Sequence, residues 1–163
     1  MLVADSLVTW IHLLSASIWV GGSIFIGIVL VPMLKTLANA VEERTMLMIK
    51  IGRRFNKIAL PALIVLVATG VYKAQLFLSS PATLLDSSYG TILVIKIIVV
   101  STMIALFGIH IRISNSRVEE LLANSNSDFR IMKIRTRIIW LGRIILGQSI
   151  AILLFAAMLD AGI

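Results

Sequence analysis

The chain has 163 residues, 59% of them hydrophobic and 14% charged, with a mean hydropathy of +1.02 and a formal net charge of +7. Soluble domains carry roughly a quarter charged residues and keep much of their surface in water, so a soluble fold of this size is excluded. The absence of cysteine excludes disulfides, thiolate metal sites, iron–sulfur clusters and covalent c-type haem, and leaves a His/Met copper site or a non-covalent haem open.

The N-terminal MLVADSLVTW has neither a basic n-region nor a small-residue cleavage site, so the first apolar run reads as a retained span. A bilayer core takes about 20 apolar residues as helix, and four runs qualify: 7–30 (ending near Pro32), 58–79, 91–113 and 138–159. The expected fold is all-α, an integral membrane four-helix bundle forming one domain over 1–163. An open sheet would leave unpaired backbone groups in lipid.

Charge in the connections sets the expected direction. Lys35, Arg44, Lys50, Arg53, Arg54 and Lys57 fall between the first two spans, and Arg112, Arg117, Arg130, Lys133, Arg135 and Arg137 around the third connection. The middle connection carries only Asp86, and the termini only Asp5 and Asp160. The positive-inside rule then places the loops 31–57 and 114–137 in the cytoplasm of a multi-pass cell-membrane protein, with both termini outside. The same topology explains the high pI without nucleic acid. Residues 36–54 carry apolar side chains at helical spacing and read as an amphipathic extension or interfacial helix. Arg117 to Leu122 reads as a continuation of the third helix, and NSNSD (124–128) as a break and cap.

Ionisable residues within a span are functional candidates. By helical rise, His12 lies about 8 Å below the outer end of span one, with Lys96 and Lys73 at similar depth; Met158 and Asp160 end span four on that side. His12, Ser15, Trp19 and Gly22 share one stripe, and Lys96, Met103 and His110 recur every seven residues along span three. Lys73 is equally consistent with snorkelling to the outer headgroups. His110 and Arg143 fall at the inner boundary, where snorkelling is routine. Trp10 and Trp140 read as interface anchors, and Met46 and Met48 as a helix face. His12 and His110 are too far apart in depth, about 20 Å, to share one haem iron. The candidate metal or haem ligands are therefore His12, Lys96 and Met158, with Trp19, Lys73 and Asp160 in support. A neutral Lys96 amine could ligate a metal; a charged one needs a carboxylate, and Asp160 is nearest by depth.

Several of these residues resemble a known family. The stretch Trp10, His12, Leu13, Leu14, Trp19, Gly21, Gly22 is similar to the start of the copper-resistance protein D domain. So are Gly52, Arg53, Arg54, Phe55 with the later Thr69, Gly70; Tyr89, Gly90, Leu93, Lys96; and Arg143, Ile144, Leu146, Gly147. The same places resemble the HemJ-type protoporphyrinogen oxidases, which have a histidine in helix one, a lysine in helix three and an association with haem b. The first resemblance implies copper capture at an outer-face site, delivered by an extracytoplasmic copper carrier. The second implies a haem-b porphyrinogen oxidoreductase. A third reading is a non-catalytic subunit, and the four apolar outer faces suit a monomer, a homodimer or part of a larger membrane complex.

Overall fold

The computed structural model describes residues 2–37, 40–78, 87–115 and 128–162. Helix α1 (Leu2–Ile24) passes through a π-helical segment (Phe25–Leu30) into α2 (Val31–Leu37). Then follow α3 (Val41–Leu78), α4 (Ser88–Ile113) and α5 (Asp128–Asp160). No strand occurs among the described residues. Four helical stretches are long and apolar enough to cross a membrane: Val3–Leu37, Val41–Gln75, Ser88–Ile113 and Met132–Asp160.

The helices outrun the apolar runs at their ends. Pro32 was expected to end span one, but the helix continues through it. Proline lacks an N–H and its ring crowds the preceding turn. The chain absorbs this by widening to π geometry just before Pro32, where the Val31 N–H reaches back to the Ile26 carbonyl. The segment expected as a cytoplasmic loop, 31–57, is accordingly helical in α2 and from Val41 onward, as its amphipathic spacing allowed. The last part of the 114–137 loop is likewise the first turns of α5. The expected extension over 117–122 lies outside the described residues, as does most of NSNSD, although α5 does begin at Asp128. Helix α4 starts under a Ser87 cap, whose side chain accepts from the Gly90 N–H at 3.0 Å.

Packing joins α1 to α3 and α4 to α5 as two antiparallel hairpins. The larger of two buried clusters where the hairpins meet holds Trp19, Val20, Ala59, Leu63, Met103, Phe107 and Ile145. Trp19 meets Phe107 edge to face at 4.7 Å and donates its indole N–H to Ser149 Oγ at 2.9 Å. A second cluster, Ile49 with Ile138, lies toward the basic ends and is flanked by Met48, Ile113 and Ile134. Met48 thus serves a packed helix face, as its sequence context indicated.

Two adjacent glycines differ in what they tolerate. A Cβ on Gly22 would overlap the Phe55 ring, while one on Gly21 meets nothing within 4 Å. Gly22→Ala is expected to destabilise the protein by about 1–3 kcal/mol through overpacking, and Gly21→Ala to be neutral. Unfolding in mixed detergent micelles measures both, and equal losses would overturn the assignment of this close approach.

Candidate functional site

The α1 stripe faces inward: Ser15 and Trp19 are buried, Gly22 meets Phe55, and His12 is half-buried. His12 comes to rest against α3, its Nδ1 2.7 Å from Thr69 Oγ1. Gly70 lies beside the ring; a Cβ there would stand 3.6 Å from His12 Cε1, an ordinary van der Waals contact. Thr69 also hydrogen-bonds its own helix, with Oγ1 2.7 Å from the Val65 carbonyl.

That geometry favours one tautomer. A hydroxyl has one hydrogen, and the Thr69 hydrogen goes to the Val65 carbonyl, which can only accept. With the Thr69 hydrogen on its own helix, the Thr69 oxygen accepts from His12 and Nδ1 carries the proton. Nε2 is left with the lone pair. Metal-ligating histidines are oriented in this way, one ring nitrogen donating to a fixed acceptor and the other presenting its lone pair to the metal.

Lys96 on α4 is half-buried and Lys73 on α3 is exposed. Thr69 and Lys73 lie four residues apart on one face of α3, so the spacing was present in the sequence, although Thr69 stood out there only within its Thr–Gly pair. Met158 is half-buried near the end of α5 and Asp160 is exposed beyond it. Trp19 belongs to the buried cluster between the hairpins. Among the described residues no group of three or more His, Asp or Glu could hold a metal ion.

Near the ends of the spans, Trp10 and Trp140 are exposed, as is Arg143. Tyr72 on α3 donates to Asp5 on α1 at 3.4 Å, a contact that the sequence alone did not indicate. His110 departs from expectation. Its Nδ1 is buried without a hydrogen-bond partner, although a residue at the inner boundary was expected to be solvated. The heptad stripe that carries His110 also carries the buried Met103, so it turns toward the packed side of α4.

The family model for copper resistance protein D matches residues 49–159, more than half of the chain. The match takes in the Gly52–Phe55, Thr69–Gly70, Lys96 and Arg143–Gly147 motifs and starts beyond His12. No curated protein and no solved structure matches the chain. With its four membrane-spanning helices and this match, the chain belongs to the copper resistance protein D family.

Proposed function

We propose that this protein captures copper ions at a polar layer within the end of the bundle that carries both termini, with His12 Nε2 as the primary ligand. The observation that carries the reading is the His12–Thr69 contact, which leaves Nε2 as a lone-pair donor held on a rigid helix pair. Imidazole and thioether are suitable copper ligands, and the chain has no thiolate. Lys96 and Met158 are the supplementary donors, and Trp19, Lys73 and Asp160 support the layer. Copper is here the cargo, received from an extracytoplasmic carrier. The protein acts as a homodimer or within a larger membrane complex where further ligands are needed.

The test is a copper titration of the purified full chain in detergent under reducing conditions, with a visible spectrum of the same sample. One equivalent of copper bound by the wild type is expected. A sample that takes up no copper, or one that shows a Soret band instead, would overturn the reading.

The layer must also face the outside. Because the chain has no cysteine, single cysteines can be introduced without background. Ser6→Cys and Ala161→Cys are expected to react with an impermeant maleimide in intact cells, and Asn126→Cys only after lysis. Protection of Ser6→Cys in intact cells would reverse the topology.

A further inference from the structure

We infer that the inner segment of α3 is a binding site for anionic phospholipid headgroups, formed by Lys50, Arg53, Arg54 and Lys57. All four side chains are exposed. At 100° per residue, positions 50, 53, 54 and 57 fall within an arc of about 100° on the helix. The packed side of the helix starts at one flank of the stripe and runs to the face opposite it, carrying Ile49, Thr45 and Ala59, each 0–1% exposed. The segment is therefore a supported helix that presents one cationic stripe outward. Lys50 and Arg53 also hold interactions within the chain and remain exposed.

Depth matches a lipid headgroup. The apolar run of α3 begins at Ile58, immediately after Lys57. By helical rise Arg54 and Arg53 stand about 5–6 Å beyond Lys57, and Lys50 about 10 Å beyond it. The headgroup layer on one side of a bilayer is roughly 5–8 Å thick, the difference between the whole bilayer and its hydrocarbon core. The stripe spans that layer. Glu42 and Glu43, the nearest carboxylates on α3, lie about two turns further from the core.

Apolar surface at the same depth of the bundle favours a lipid over a free anion. Gly22 is level with Phe55, as their contact shows. Continuing inward along the adjacent helix, Phe25, Ile28 and Val29 of the π-helical segment are 55%, 63% and 43% exposed, at about the level of Arg53 to Lys50. Cations and exposed apolar side chains at one depth mark the level at which headgroups meet acyl chains. The Gly–Arg–Arg–Phe motif is thereby divided by role, Phe55 packing against α1 while Arg53 and Arg54 face the lipid.

The experiment titrates the purified full chain in detergent with phosphatidylglycerol or phosphatidylcholine of the same acyl chains, read by native mass spectrometry. Wild type is expected to prefer phosphatidylglycerol, and the preference to fall as salt is raised. Each cation removed in the series K57Q, R54Q, R53Q, K50Q is expected to weaken phosphatidylglycerol binding about fivefold. The charge-preserving K50R/R53K/R54K/K57R variant is expected to keep it. Equal binding of the two lipids by wild type would overturn the inference, as would an unchanged preference in the helical quadruple Gln variant. Displacement by an equal concentration of inorganic phosphate would point to a free-anion site instead. Binding of a polyglutamate peptide without any lipid preference would point to an acidic protein partner.

Discussion

His12→Ala is expected to abolish stoichiometric copper binding while leaving the helical content and stability of the protein close to wild type. The residue is half-buried against α3, and its removal leaves Thr69 still bonded to its own helix. The stronger test is Thr69→Val. Valine keeps the volume but offers no oxygen to His12 Nδ1. Loss of such an outer partner typically lowers metal affinity about 10–100-fold. Thr69→Ser restores the acceptor and is expected to recover most of that loss. The three variants separate ligation from packing: a ligand role makes affinity fall in the order Thr69→Ser, Thr69→Val, His12→Ala. Equal copper affinity in wild type and His12→Ala would remove His12 from the site. A Thr69→Val protein with wild-type affinity would show that the tautomer is held by something other than Thr69.

The existence of four spans was legible in the sequence because each is a long apolar run that water cannot solvate. Their ends were not, for a physical reason. Hydrophobicity marks where the bilayer stops, whereas helical hydrogen bonding continues into the headgroups wherever one face can still pack, as Thr45 and Ile49 do. Pro32 misled for a related reason, since a proline stops a helix only when the preceding turn cannot widen. The inward stripe of α1 followed from 3.6-residue periodicity, and it is the face that packs. Its partner did not follow, because periodicity identifies a face without saying which helix covers it. The seating of His12 beside Thr69 and Gly70, between two motifs 57 residues apart in the chain, required the fold. His110 shows the complementary gap. Position along the helix gave its depth, but its burial depends on rotation toward the packed face that also carries Met103.

Trp19→Ala is expected to cost about 3–5 kcal/mol of stability, a larger loss than that of Gly22→Ala. The residue is 3% exposed and belongs to the larger cluster through which the two hairpins touch. In lipid there is no water to drive helices together, so their association rests on close packing and interhelical hydrogen bonds. Trp19 supplies both, through its ring against Phe107 and its N–H to Ser149. The two contributions can be separated. Trp19→Phe keeps most of the ring contact and removes only the indole N–H. Ser149 loses a donor but its own hydroxyl still reaches the Ile145 carbonyl at 2.8 Å. The hydrogen bond between two membrane helices is worth about 0.6 kcal/mol on average, so a Trp19→Phe, Ser149→Ala double-mutant cycle should return a coupling of that order. Trp19→Phe should bind copper like wild type if the indole acts only in packing, because His12 lies about two turns away along α1. A Trp19→Phe protein as unstable as Trp19→Ala would shift the weight from ring packing to the hydrogen bond. A Trp19→Phe protein that stays stable but loses copper would move the indole N–H from the core into the copper site.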